Sequence, residues 1–166
     1  MGLVPDDQIR VNMGSAIGKP GTARRAYLHA RDAQLIIKEC TGPSTYSNWA
    51  EWIIWTQAHD TPEIAPLLGS CHEMAYSGQL LVMERLDDLT TAEQKAKRRY
   101  PEWMTDLKTD TFGVNAAGEV KIRDYGLVVL GATLAHGKIY NMPTDHDLEG
   151  WVSLMSAVND VISSST

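Results

Sequence analysis

The chain has 166 residues, a formal net charge of −6 and 43% hydrophobic residues. This length suits one domain, or two small lobes sharing a hinge, and the composition is that of a folded globular protein. The negative charge gives no general support for binding nucleic-acid phosphates, and no apolar run approaches the ~20 residues that span a bilayer. We therefore expect a cytoplasmic protein that binds neither nucleic acid nor membrane.

The first half of the sequence predicts several strands and one helix. Residues 10–40 predict three strands, separated by the Gly-rich turn "GSAIGKPGTARRA" and by a turn at "ARD", and Lys38 lies near the end of the third. Ser47 or Asn48 is a candidate N-cap for a helix through "WAEWIIWTQA", which carries Glu51. Two further strands are predicted in "APLLGSCHEM" and "GQLLVMERLD".

The second half predicts a helix, a hairpin and a terminal helix. The segment "TTAEQKAKRRYPEW" begins with a capping-box pattern, Thr90 or Thr91 ahead of Glu93, and contains helix formers until Pro101. The runs "TFGV" and "EVKIR" flank "NAAG", which predicts a tight hairpin turn. Apolar residues recur near the helical period in "DHDLEGWVSLMSAVNDVI", so this segment predicts an amphipathic helix.

Residue types that handle phosphates occur in a fixed order along these elements. A Gly-rich loop, a strand lysine, a helix glutamate and an apolar strand leading to a hinge precede the run "DLKTDTFGVNAAGEVKIRDYG". Phosphoryl transfer needs positive charge and metal at the phosphates and a carboxylate at the incoming hydroxyl. Glycines let the backbone approach phosphates without an intervening Cβ. Each motif is common alone, but their order and spacing together are not.

The chain resembles the protein-kinase-like fold, and in particular the small, truncated and degenerate kinase-like proteins common in phage and bacterial genomes. The resemblance runs from about Val11 to the last helix. It implies one α+β domain over residues 1–166, a minimal two-lobed kinase-like fold. The antiparallel N-lobe sheet with one helix would occupy about 1–86, and a reduced, mainly helical C-lobe about 87–166. It also implies ATP and Mg²⁺ as cofactors.

The resemblance assigns the chemical step to loop residues of the second half. Asp106 would accept the proton of the substrate hydroxyl, and Lys108 would place a positive charge beside the transferred phosphate. Asp124 would hold Mg²⁺. Thr111 stands where the asparagine that binds a second Mg²⁺ is usual, and the adjacent Asp110 could substitute for it.

The same resemblance assigns phosphate binding to the first half. Lys38 would pair with the α and β phosphates and with Glu51. Gly18 and Gly21 in "AIGKPG" match the last two glycines of the loop that covers the phosphates, and Ala16 occupies the place of the first.

The apolar strand "LLVMERL" would lead into the hinge. Met83 would guard the adenine pocket, and the backbone groups of Glu84 and Leu86 would hydrogen-bond the base. Asp145 and Gly150 resemble the start of the helix that supports the catalytic loop.

The sequence also departs from the family pattern. Met104 and Thr105 replace the His and Arg that usually precede the catalytic Asp, and Thr111 replaces the metal-binding Asn. No "A-P-E" follows Gly126, so the region that usually docks a protein substrate is largely missing. These departures favour a scaffold that has lost catalysis.

Each candidate site residue also has an ordinary structural interpretation. Lys38 could be a surface lysine at a strand end, and Glu51 could face water from an amphipathic helix. Asp106 and Asp124 could be turn residues, which are frequent.

Three functional hypotheses follow. The first is a kinase-like protein that binds ATP and transfers its γ-phosphate to Ser or Thr hydroxyls of an unidentified protein substrate. The second is a pseudokinase that acts by binding a partner protein. The third, a small-molecule or aminoglycoside-type kinase, is weaker because such enzymes usually carry a longer C-terminal half.

Overall fold

The computed structural model describes residues 2–18, 23–105, 107–126 and 139–141. A six-stranded sheet contains β1 (Gly2–Val4), β2 (Met13–Ile17), β3 (Arg24–His29), β4 (Leu35–Cys40), β5 (Cys71–Ala75) and β6 (Leu80–Glu84). The helices are α1 (Asp6–Arg10), α2 (Tyr46–Ala58) and α3 (Ala92–Ala96). The strand order is β1-β5-β6-β4-β3-β2, and every pair is antiparallel except β1 with β5. The fold is therefore α+β with a mainly antiparallel sheet.

Strand β4 contributes to both faces of the sheet. Ile37 belongs to a small apolar cluster with Ile9 of α1. Ile36 belongs to a larger cluster that includes Trp52 of α2. Because successive side chains of a strand point to opposite faces, Lys38 shares the α2 face with Ile36. Lys38, the candidate phosphate-binding lysine, therefore points toward α2 and not toward α1.

The sequence did not predict β1 or α1. A strand of three residues and a helix of five are too short to produce a recognisable hydrophobic period. Their stability comes from long-range contacts: β1 pairs with β5, and Ile9 is fully buried against the sheet.

Helix α2 begins earlier than the sequence suggests. The predicted cap at Ser47 or Asn48 is wrong, because the helix starts at Tyr46 with Thr45 at the N-cap. Asn48 is fully buried, and its amide nitrogen donates to the carbonyl of Lys38 and to two carbonyls of the turn before β6. These bonds fix α2 against the sheet.

The predicted hairpin is confirmed. Strands β8 (Phe112–Val114) and β9 (Val120–Ile122) pair antiparallel, and Gly118 in the turn has a φ of 82°. Phe112 and Ile122 are buried in the larger apolar cluster, and the Gly69 N–H donates to the Ile122 carbonyl at 2.8 Å. The hairpin therefore shares its core with the sheet and α2.

The helix predicted as far as Pro101 is wrong in extent. Helix α3 ends at Ala96, and β7 (Arg99–Pro101) pairs with β10 (Ile139–Asn141). The capping box is present, but it joins Thr91 to Gln94 and not to Glu93. Pairing with a distant strand here overrides the local helix propensity.

Several predictions fall on residues that the structure leaves undescribed. Asp106, Gly21 and the predicted C-terminal helix lie outside the described ranges. In the described part of 87–126 the helical residues are α3 and one 3₁₀ turn, Thr109–Thr111. The part of the expected C-lobe that is described therefore consists mainly of short strands and loops. Among all described residues, no helix has both the length and the apolar character needed to cross a membrane.

Candidate functional site

Lys38 and Glu51 form a buried ion pair between the sheet and α2. The Lys38 Nζ donates to both carboxylate oxygens of Glu51, at 3.0 Å each, and to the carbonyl of Arg123. Lys38 is 8% exposed and Glu51 is 0% exposed. The ion pair expected from the sequence is present in the structure, and neither side chain extends into bulk water.

Arg24 is a member of this site that the sequence analysis missed. It begins β3 and lies on the same face as Lys38, because the strand register sets Ala26 opposite Lys38. Its guanidinium donates to Glu51 at 2.7 and 3.1 Å and to Asp124 at 2.5 Å. Arg24, Lys38, Glu51 and Asp124 form what we call the charge cluster, whose formal charges cancel.

The charge cluster sets the protonation of its members. Burial lowers the pKa of Lys38, and the Glu51 carboxylate opposes this effect. Burial also acts to lower the pKa of Arg24, but the carboxylates of Glu51 and Asp124 outweigh it, so the pKa is raised. Burial acts to raise the pKa of Asp124, and the charges of Lys38 and Arg24 reverse this, so the pKa is lowered. Arg24 and Asp124 are therefore both charged at neutral pH.

Tyr125 fixes the backbone next to Asp124. Its N–H donates to Glu51 at 3.3 Å, and its hydroxyl donates to the Gly69 carbonyl at 2.7 Å. The hydroxyl also lies 3.2 Å from the Cys71 Sγ. Burial raises the pKa of Tyr125 well above its usual 10.0 and that of Cys71 to about 12. Both groups are neutral at physiological pH. The bonds of Tyr125 therefore anchor the backbone directly after Asp124, the predicted metal-binding aspartate.

Arg123 braces the loop that precedes the hairpin. Its Nε donates to the Asp110 carbonyl at 2.7 Å, its guanidinium pairs with Asp88 at 2.7 Å, and its N–H donates to the Thr111 carbonyl at 2.8 Å. The Thr111 N–H in turn donates to the Lys108 carbonyl at 3.0 Å. The side chains of Lys108 and Asp110 are exposed, and Thr111 is buried. Arg123 thus supports the loop that carries Lys108, Asp110 and Thr111.

The residues predicted to form the hinge have different environments. Met83 is fully buried in the larger apolar cluster. The Glu84 N–H donates to the Ser70 carbonyl at 2.8 Å, and the Leu86 carbonyl accepts a bond of 3.3 Å from Arg123. Contact of Glu84 with a nucleobase would therefore have to use its carbonyl oxygen, because the N–H already has a partner.

The Glu84 side chain belongs to a second polar group. Partial burial acts to raise the pKa of Glu84, but a hydrogen bond from Asn115, the Ser70 N–H and the charge of Lys121 together lower it. Lys121 donates to both carboxylate oxygens at 3.1 Å. This group joins the end of β6 to the hairpin and so fixes the start of the predicted hinge segment.

The loop predicted to cover the phosphates is described only in part. Gly18 has a φ of 66°, a left-handed conformation that favours glycine. Gly21 lies in the undescribed segment 19–22. Asp106 is also undescribed, so its predicted role as a proton acceptor stays a prediction.

The donor set around Asp124 suits a metal ion that arrives with phosphates. Within the described ranges, no group of three or more His, Cys, Asp or Glu side chains is arranged to hold a metal ion. Mg²⁺ in phosphate-handling sites commonly uses one or two carboxylates plus phosphate oxygens and water. The Asp124 side chain is 54% exposed and offers one such carboxylate. The described side chains thus offer a metal ion one accessible carboxylate, and its remaining ligands would be water or phosphate oxygens.

Comparison with known proteins gives no family assignment. No family model matches the sequence, and no curated protein is significantly similar to it. A crystal structure of WbdD aligns with 73% of this chain and 34% of its own, at 14% identity and a TM-score of 0.49. A structure of WbdD with the kinase inhibitor LY294002 aligns with 70% of this chain and 33% of its own, at 14% identity and a TM-score of 0.47. The chain thus spans about a third of the length of WbdD.

Proposed function

We propose that the protein is kinase-like, binds ATP with Mg²⁺ beside the charge cluster and transfers the γ-phosphate to a Ser or Thr hydroxyl of a protein substrate. The observation that carries this proposal is the convergence of Lys38, Glu51 and Asp124. They come from a strand, a helix and the segment after the hairpin, and the bonds of Glu51 and Arg24 link them. Such a set supplies the charges that phosphoryl transfer requires.

The first half of the chain would hold the nucleotide. Lys38 would contact the phosphates, and its ion pair with Glu51 would keep the Lys38 ammonium on the α2 face of the sheet. Gly18 and Gly21 would let the loop backbone approach the phosphates without a Cβ in the way. Met83 would line the base pocket.

The second half would carry out the transfer. Asp124, supported by Asp110 or Thr111, would hold Mg²⁺, which when bound neutralises charge that develops on the phosphates. Asp106 would accept the proton of the attacking hydroxyl, and Lys108 would stabilise the transferred group.

A phosphate-transfer assay tests this proposal. Labelled ATP is offered with the protein alone and with a cell lysate, and wild type is compared with Asp106→Asn and Asp124→Asn. We expect Asp106→Asn to slow transfer by on the order of 10² or more while nucleotide affinity hardly changes. If phosphate transfer by all three proteins stays at background level, the proposal that the protein is an enzyme is rejected.

The second candidate is a pseudokinase that acts by binding a partner protein. One observation favours it: the Oδ1 of Asp124 already accepts a hydrogen bond from Arg24, so a metal ion would have to compete with a cation for this carboxylate. A pseudokinase should show no phosphate transfer in wild type or in either variant, although all three proteins are folded.

A further inference from the structure

We infer that Arg24 is an internal counter-ion that competes with a metal ion for Asp124, so that the metal enters only when Arg24 is drawn away. This inference concerns regulation of the proposed nucleotide site and, in its nucleotide-dependent part, rests on the proposed function. It assigns a role to a residue that no family motif marks.

The first argument is geometric. One Arg24 nitrogen, Nη2, donates both to Glu51 at 3.1 Å and to Asp124 at 2.5 Å. Glu51 is fully buried, whereas the Asp124 side chain is 54% exposed. The guanidinium therefore spans from the protein interior to the one carboxylate of the cluster that solvent ions can reach.

The second argument concerns the balance of charge. Glu51 accepts two hydrogen bonds from Lys38 and one from the Tyr125 N–H, so its charge is neutralised without Arg24. Arg24 is then the second cation on one buried carboxylate, and Asp124 balances it. A metal ion bound to Asp124 would lie beside this guanidinium, and their mutual repulsion disfavours simultaneous occupancy.

The third argument concerns what could draw Arg24 away. A guanidinium presents paired N–H donors that match phosphate oxygens, and it is the preferred side chain for bidentate contacts with phosphate. Arg24 begins β3 and lies on the same face of the sheet as Lys38, the predicted phosphate-binding lysine. A polyphosphate bound by Lys38 would offer Arg24 a new partner and leave Asp124 open.

The consequence is cooperative binding. A ligand that takes Arg24 over raises the affinity of Asp124 for metal, and by linkage the metal raises the affinity for that ligand by the same factor. Metal alone should bind weakly, because it must displace Arg24 from Asp124.

The test uses Mn²⁺ as the probe, in the absence of nucleotide. Binding to the full chain is measured by electron paramagnetic resonance of free Mn²⁺ for wild type and Arg24→Gln. We expect Arg24→Gln to bind Mn²⁺ at least tenfold more tightly, and adding Asp124→Asn to remove the gain. Equal affinity in wild type and Arg24→Gln overturns the inference.

Arg25→Gln is the matched control. It removes the same charge from the neighbouring residue, which is exposed and stacks over Tyr27 instead of joining the charge cluster. Its Mn²⁺ affinity should equal that of wild type, and a gain equal to that of Arg24→Gln would reduce the effect to net charge and overturn the inference. If circular dichroism shows that Arg24→Gln does not fold, Arg24→Lys replaces it. Lysine cannot bridge two carboxylates bidentately, so a smaller gain is expected, and no gain overturns the inference.

A parallel titration with ATP separates this inference from the proposed function. Wild type should bind Mn²⁺ at least tenfold more tightly with ATP present, and Arg24→Gln should lose most of this dependence. If wild type binds no ATP, the proposed function fails, while the nucleotide-free comparison still decides whether Arg24 competes for Asp124. If ATP binds but leaves Mn²⁺ affinity unchanged, the nucleotide site stands and the coupling through Arg24 is wrong.

Discussion

Replacing Glu51 by Gln should be among the most destabilising single changes in the charge cluster. Glu51 is the buried carboxylate between Lys38 and Arg24, whose side chains are only 10% and 13% exposed. Gln keeps the shape but removes the negative charge, which leaves two poorly solvated cations close together. Removing one partner of a buried ion pair costs about 3–5 kcal/mol. For a protein of this size that loss lowers the melting temperature by on the order of 10 °C.

The assay is urea denaturation followed by fluorescence of the five tryptophans. Glu93→Gln is the matched control, because Glu93 is exposed and forms a surface ion pair with Lys97. Surface pairs contribute about 0–1 kcal/mol, so its unfolding free energy should stay near wild type. Lys38→Met should cost less than Glu51→Gln, since Arg24 still neutralises Glu51. A Glu51→Gln variant as stable as Glu93→Gln would refute the account of the charge cluster.

Three further predictions test the surroundings of the site. Tyr125→Phe removes the buried bond to the Gly69 carbonyl and should lower the unfolding free energy by about 1–3 kcal/mol in urea melts; no loss would show that the hydroxyl does not anchor this segment. Glu84 has a lowered pKa, so its contribution to stability is complete above its ordinary 4.5 and is lost as pH falls through the lowered value. As the pH falls from about 6 to about 3, Glu84→Gln should therefore lose less stability than wild type. Thermal melts measure this loss, and parallel curves for the two proteins would contradict the prediction. Gly113→Ala would place a Cβ 2.7 Å from the Leu86 Cβ and should cost about 1–3 kcal/mol, whereas wild-type stability would show that the hinge segment yields easily.

Local patterns in the sequence predicted much of the sheet and the hairpin. The run "LIIK" reads as a buried strand because β-branched residues fill both of its faces, and the structure makes it β4, in the interior of the sheet. "NAAG" predicts a tight turn because Gly118 can adopt positive φ, which it does. Such signals depend only on residues that are neighbours in the sequence, so the sequence alone is enough to predict these elements.

The features that the sequence did not predict depend on contacts between residues far apart in the chain. Arg24 joins the charge cluster through Asp124, a hundred positions away, and Arg123 supports a loop through carbonyl oxygens that carry no sequence signal. The sequence predicts helix over the residues of β7, because they have no strand pattern of their own. They form a strand in the structure because they pair with β10. Long-range pairing of this kind has no periodicity that a single sequence reveals.

The central claim is that Lys38 lies in a nucleotide site, and its most direct test is a thermal-shift titration with ATP, with and without Mg²⁺. At 100 times its Kd a ligand stabilises the folded state by about 2.7 kcal/mol, which raises the melting temperature by about 5–10 °C. Wild type should show this shift only when Mg²⁺ is present, and Lys38→Met should lose it. Lys97→Met is the control, because Lys97 is exposed and pairs with Glu93 outside the charge cluster, so its loss should leave the shift intact. No shift of wild type at millimolar ATP and Mg²⁺, or an undiminished shift in Lys38→Met, would contradict the account.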